Sequence, residues 1–297
     1  MIERFVQALP HGIELECRAA GAPGAPVLVF LHGFPEAAFV WDDMLTHFAA
    51  RGFRCIAPNL RGYAGSSSPV DPEQYRARLL VQDITALLAA QGGPIEALVA
   101  HDWGGALAWS VANQRPELLR RLVIVNAPHP GAFARELRHN PRQQAASSYM
   151  LFLARPDAAA LLAEDDFRRL WPVFTAMGPA DWLDAPAKDR YRQAWRGGAG
   201  LVGGCNYYQA SPLRPPSPQD PGAAGLDLPE SMLAVRVPTL VIWGMRDTAL
   251  LPELLDGLPA WVPQLQVERI EDASHWIVHE QPQRLAARIE EFVAAPA

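Results

Sequence analysis

With 297 residues, 49% hydrophobic and 20% charged, the chain is long enough to bury one sizeable core and has the composition of a soluble globular protein. Its net charge of −6, without clusters of Lys and Arg, argues against nucleic acid or an anionic membrane surface as a partner. Cys17, Cys55 and Cys205 are too dispersed for a disulfide framework or a zinc site, no apolar run approaches the roughly 20 residues that span a bilayer, and residues 1–5 do not open a signal peptide. The expectation is a soluble, cytoplasmic protein with reduced thiols and no metal.

Residues 4–9 and 13–19 are short strand-like runs joined by Pro10-His11-Gly12, which predicts an antiparallel hairpin at one edge of a sheet. The pattern then changes. Residues 27–31, 54–57, 95–100, 122–126 and 239–243 are brief β-branched or apolar runs without alternation, as expected of parallel strands covered on both faces, while 266–270 alternates more. Helices are predicted between them over 38–51, 72–91, 104–114, 252–258 and 282–294, the last with Leu285, Ile289, Phe292 and Val293 at helical spacing behind a Pro suited to the first turn. Strand and helix alternate, so the fold class is α/β, with a mostly parallel central sheet flanked by helices.

No buried strand is visible between Asn126 and Thr239. This stretch is rich in aromatics (among them Tyr149, Trp171, Trp182, Trp195, Tyr207 and Tyr208), then in glycines (Gly197, Gly198, Gly200, Gly203 and Gly204), and ends in a proline-rich segment, 211–229. It reads as a helical lid over 129–236 inserted into a core formed by 1–128 and 237–297, with the proline-rich segment as the loop returning to the sheet or as a disordered linker.

The chemistry begins at Ala100-His101-Asp102-Trp103-Gly104-Gly105, where a strand runs into a helix. A nucleophile elbow has this form: a nucleophile on a sharp turn, with small neighbours because strand and helix close on each other. Asp102 takes the place of the nucleophile, and a plain helix cap at Trp103 is the alternative. Enzymes built on such an elbow place an acid and then a histidine later in the chain. Asp247 in Trp243-Gly244-Met245-Arg246-Asp247 and His275 in Ala273-Ser274-His275-Trp276 each follow a strand in that order, with His279 a competing candidate. His32-Gly33-Phe34-Pro35 follows the first parallel strand, and the backbone N–H groups of Phe34 and Trp103 are assigned to an oxyanion hole, with a cis peptide expected at Phe34-Pro35.

These motifs resemble the α/β-hydrolase family, specifically its epoxide hydrolase branch, over nearly the whole chain: HGFPE at 32–36, RGYAGSS at 61–67, HDWGG at 101–105, WGMRD at 243–247 and SHW at 274–276. Asn206-Tyr207-Tyr208-Gln209 and Ser148-Tyr149-Met150-Leu151-Phe152 are similar to the family's lid segments that carry two tyrosines. Ala100 stands where a Gly is more usual, and Gln209 where a basic residue is frequent. The resemblance implies an α/β-hydrolase fold and an epoxide hydrolase acting on an apolar or aryl epoxide.

Aspartate, with a reference pKa of about 3.9, is ionised at neutral pH and displaces a leaving group at saturated carbon unaided. Asp102 would form an alkyl ester, which water activated by His275 hydrolyses while Asp247 orients the imidazole. Tyr149 and Tyr208 would donate to the alkoxide of the opening ring, or else pack as lid aromatics. Phe34, Trp103, Tyr149, Tyr208 and Trp276 are the expected substrate contacts. The expected partners are the epoxide and water, with no cofactor, no nucleic acid and no membrane, and with homodimer formation left open. A haloalkane dehalogenase would share the Asp-Trp elbow but commonly has Asn where this chain has Phe34. An esterase lacks its Ser or Cys here, and a non-catalytic binder on the same fold is the alternative from another class.

Overall fold

The computed structural model describes residues 1–178, 180–196 and 200–295; Gly197 and Gly198 of the glycine-rich stretch lie outside these. Eight strands form one sheet: β1 (Glu3–Ala8), β2 (Glu14–Ala20), β3 (Val27–Leu31), β4 (Arg54–Pro58), β5 (Ala97–His101), β6 (Leu122–Val125), β7 (Thr239–Gly244) and β8 (Leu265–Ile270), in the order β1-β2-β4-β3-β5-β6-β7-β8. β1 and β2 pair antiparallel, as does β2 with β4, and β4 through β8 are parallel. The hairpin therefore forms the edge that its turn chemistry predicts.

The central strands lack visible alternation because both faces are covered. Val29, Leu31, Leu98, Ile124 and Val241 face one apolar layer, which takes in Ile84 and Leu87 of α2 (Ala77–Ala89) and Leu107 and Val111 of α3 (Asp102–Gln114). Leu28, Phe30, Val99, Val123 and Ile242 face the other, with Leu45 and Phe48 of α1 (Asp42–Ala49) and with Leu285, Ile289 and Phe292 of the C-terminal helix. Period-2 geometry sends neighbours to opposite faces, and here each face is a core.

Between β6 and β7 the chain runs through α4 (Pro130–His139), α5 (Pro141–Ala146), α6 (Tyr149–Leu153), α7 (Ala158–Phe167), α8 (Trp171–Thr175), α9 (Ala185–Arg196) and α10 (Gly200–Ala210). α11 (Ile277–Glu280) and α12 (Pro282–Ala294) follow β8. α7 breaks near its end, where Asp165, Asp166 and Phe167 take left-handed φ values of 48°, 55° and 62°. α10 is seated on the core loop that follows β4. A Cβ at Gly203 would lie 2.1 Å from the Gly62 carbonyl oxygen, so only glycine permits this approach. The Tyr207 hydroxyl donates to the Arg61 carbonyl at 2.9 Å.

Some elements differ from expectation. Residues 252–258 form no α-helix: Pro252–Leu255 and Leu258–Ala260 are single 3₁₀ turns separated by Gly257 at φ 73°. The helix expected to begin at Pro72 begins at Ala77, behind a separate 3₁₀ turn capped by Asp71. The proline-rich segment is ordered against the rest: Ala223 is buried, its N–H donates to Arg214 O at 2.9 Å, and its carbonyl accepts from Arg138 Nε at 2.8 Å.

Candidate active site

The C-terminal ends of the parallel strands gather the polar residues, as open α/β sheets generally do. β5 passes into α3 at Asp102, whose φ is 49°, a left-handed conformation for a residue with a side chain. The turn is so tight that a Cβ at Gly33 would lie 2.3 Å from the Asp102 Cβ, and one at Gly105 would lie 2.2 Å from the Ala127 Cβ. These contacts are the physical reason for small residues around the elbow. Asp102 does not cap its own helix. Its Oδ1 accepts from the Phe34 backbone N–H at 2.7 Å, across the gap between β5 and the loop after β3. The Phe34-Pro35 peptide is cis. Trp103 N–H lies in the first turn of α3, where no intrahelical acceptor exists for it.

The other Asp102 oxygen, Oδ2, is 3.8 Å from His275 Nε2, close enough for strong attraction but beyond hydrogen-bond range. His275 Nδ1 is 2.7 Å from Asp247 Oδ2. Asp247 is held on all sides: Oδ2 also accepts from Asn126 Nδ2 at 2.8 Å, and Oδ1 accepts from the N–H groups of Ala249 and Leu250 at 2.9 and 2.8 Å. Burial alone would raise the Asp247 pKa, but the His275 contact and these donors outweigh it and hold the carboxyl below its ordinary range. Burial likewise pulls the His275 imidazole down, yet Asp247, Asp102 and Glu36 together push it up to about 9.

Sequence reasoning misses Glu36 and Asn126. Glu36 is fully buried, and its Oε2 lies 3.1 Å from His101 Nδ1, while its Oε1 lies 2.6 Å from His279 Nε2 and accepts from the Tyr191 hydroxyl at 3.0 Å. Burial would keep Glu36 protonated, but hydrogen bonds from the two histidines overcome this and leave it ionised at neutral pH. His101 Nε2 reaches the His275 carbonyl at 2.9 Å, so His101 supports the catalytic candidate from behind, while His279 meets it only through Glu36. His32 is also a support: Leu60 N–H donates to its Nε2 at 3.1 Å, and burial lowers its pKa to about 4, keeping it neutral. The available signal for Asn126 was a polar residue at the end of β6, between the strands that lead to Asp102 and Asp247.

Tyr208 lies between Phe34 and Trp103, with ring centroids 5.4 and 5.2 Å away. Tyr149 is 6.1 Å from Tyr208, and both line the space above Asp102. Tyr207 points the other way, to Arg61, so the adjacent position in α10 is the one that faces the carboxylate. Burial holds both facing phenols well above the ordinary tyrosine range, reinforced at Tyr149 by the Asp102 charge and at Tyr208 by Tyr149 and then Asp102, so they carry their protons at neutral pH. About a third of the Tyr149 surface stays accessible, and the residue lines two cavities. Trp276 stands perpendicular to the His275 ring at 4.8 Å, and its Nε1 donates to the Val173 carbonyl at 3.3 Å.

Two cavities meet at Asp102, Tyr149 and Tyr208. One, of about 300 Å³, is lined by Phe34, Leu153, Leu162, Val173 and Trp276 among others; the second, of about 290 Å³, by Trp103, Leu107, Phe133, Met150 and Leu250. Both are largely apolar, and the carboxylate and the two phenols stand where they meet, the usual form of a small-molecule site. Among the described residues no cluster of His, Cys, Asp and Glu could hold a metal, and no helix is long and apolar enough to cross a membrane.

The family described as the alpha/beta hydrolase fold matches residues 26–282. The AB hydrolase superfamily protein YfhM of Bacillus subtilis is 34% identical, covering 92% of this chain and 91% of its own. Epoxide hydrolase 3 of Xenopus tropicalis is 31% identical over 97% of this chain and 77% of its own. A solved structure from hot-environment metagenomes, described among novel epoxide hydrolases of the alpha/beta hydrolase superfamily, superimposes with a TM-score of 0.89 at 37% identity and full coverage of both chains. Fold and relatives agree that this chain is a hydrolase belonging to the α/β-hydrolase family, and proteins named epoxide hydrolases are among those it matches.

Proposed function

We propose that the protein hydrolyses an apolar or aryl epoxide to a vicinal diol through an ester on Asp102, with residues 129–236 acting as the lid. The observation that carries this reading is the unequal treatment of the two Asp102 oxygens: Oδ1 is held by Phe34 N–H, while Oδ2 faces His275 beneath two protonated phenols. Oδ2 attacks a ring carbon, the C–O bond breaks, and Tyr149 or Tyr208 gives its proton to the departing oxygen. Esterification neutralises Asp102. The imidazolium loses one of the charges that hold its proton, which returns to the phenolate through solvent.

Neutral His275 then takes a proton from water as the oxygen attacks the Asp102 carboxyl carbon. Negative charge develops on Oδ1, where Phe34 N–H already points and Trp103 N–H is at hand. The ester C–O bond breaks, His275 protonates the leaving oxygen, and one water has been consumed. The relatives named epoxide hydrolases support the same chemistry. Three buried, unpaired cysteines support a reducing compartment such as the cytoplasm.

Phe34 has no side-chain donor for a departing halide, which favours an epoxide over a haloalkane. Incubation with styrene oxide and with a bromoalkane tests the reading. Diol without bromide is the expected result. Bromide alone, or tight binding with neither product, would overturn it in favour of a dehalogenase or a binder.

A further inference from the structure

The cavity that runs from Asp102 past Leu162, Val173 and Met177 carries one charge that the proposed chemistry does not use. Among the described residues that line it, Arg169 is the only cation besides His275. It follows the break in α7, and its side chain is 47% exposed, so it stands where the cavity meets solvent. Its neighbours are closely paired: Arg168 with Asp165 at 3.1 Å, and Arg192 and Arg196 with Asp166 at 2.7 and 2.6 Å. Arg169 has only a single 3.4 Å contact with Glu164, itself 53% exposed. An exposed pair of that geometry is weak and exchanges readily for a better-placed anion.

We infer that Arg169 is a specificity-determining residue that receives a carboxylate at the far end of an apolar epoxide substrate. The substrate part of this inference rests on the epoxide-hydrolysing reading of the site. The electrostatics set the direction of entry. The fixed charge of Asp102 repels a carboxylate from the inner end, Arg169 attracts it at the outer end, and the apolar wall between accepts the chain. The epoxide is thereby delivered to Asp102 first. A guanidinium suits the task because its planar fork binds a carboxylate through two parallel hydrogen bonds.

The test has two arms. In the first, terminal epoxides carrying a carboxylate at increasing chain length are compared with the matching primary amides. At the best length the acid is expected to have the higher kcat/KM by about 5-fold at low salt, through KM, with the preference lost in Arg169→Gln and enlarged in Glu164→Gln. In the second, unreactive alkanoates and alkanamides of the same lengths are titrated calorimetrically, which reads the subsite without any chemistry. The expected result is tighter acid binding in the wild type that disappears in Arg169→Gln. An acid-to-amide ratio equal in both proteins, in either arm, would overturn the proposal. Failure of all epoxide turnover with a retained binding preference would instead count against the epoxide reading alone.

Discussion

Replacing Asp102 with Asn removes a negative charge and little else. Asn is among the side chains that best tolerate positive φ, so the elbow at φ 49° is kept, and the amide oxygen still accepts from Phe34 N–H. What changes is the field at His275. Burial pulls that imidazole down, and Asp247, Asp102 and Glu36 push it up to about 9. Asp102 acts from 3.8 Å, a distance at which an opposite charge moves a pKa by about 1–3 units.

The imidazole of Asp102→Asn is therefore expected to titrate about 1–3 pH units lower than in the wild type, and epoxide turnover should vanish. The substitution reproduces the charge state of the esterified enzyme, so it asks whether alkylation itself frees the base. A stability readout accompanies the titration. Because the folded pKa lies above the reference value of 6.5, this proton contributes stability that is fully present below about 6.5 and is lost as pH rises through about 9. The contribution is on the order of 3 kcal/mol, and the fall in Tm across that window should shrink in the variant. NMR titration of the imidazole nitrogens and calorimetric Tm against pH supply the measurements. An unchanged His275 titration, or retained turnover, would refute the reasoning.

Three further outcomes are expected. His275→Gln should form the alkyl-enzyme and fail to hydrolyse it, so intact-protein mass spectrometry should find a stoichiometric adduct; absence of adduct alongside an active wild type contradicts the covalent scheme. Tyr149→Phe and Tyr208→Phe should each slow ring opening, and the double variant should lose roughly 10²–10⁴-fold in the single-turnover rate, whereas an unchanged rate moves the acid elsewhere. Gly105→Ala places a Cβ 2.2 Å from that of Ala127 and should cost about 1–3 kcal/mol, lowering Tm by several degrees; an unaltered Tm would mean that α3 and the segment just after β6 give way more easily than their packing implies.

The sheet was legible because its central strands are buried on both faces and announce themselves as apolar runs, and because Pro10-His11-Gly12 marks the hairpin. Asp102, Asp247 and His275 were legible because each follows a strand in a fixed order, a pattern that survives without knowledge of distances. Helix starts were less so. Pro72 suits a first turn, but the structure ends that turn at Tyr75 and begins α2 afresh. Glu36 was illegible as a participant because its partners, His101, Tyr191 and His279, are brought together only by the closed fold. Tyr208 rather than Tyr207 was indicated by the resemblance of 206–209 to a family lid segment, whereas the packing of Gly203 on Gly62 that seats α10 on the core is contained in no local spacing.

The buried carboxylate of Glu36 takes donors from the end of β5, from α11 and from α9, while beside it Trp195 of α9 donates to the Pro35 carbonyl at 2.6 Å. The insert and the sheet thus share one polar keystone in place of a smooth, separable face. A version of the protein shortened by excising 129–236 would strand that ionised group without its phenol donor and strip the cover from Trp276. It should not survive as a minimal hydrolase. In hydrogen-exchange experiments the amides around Glu36 and those of α9 should open together, as a single cooperative unit that spans both parts of the molecule.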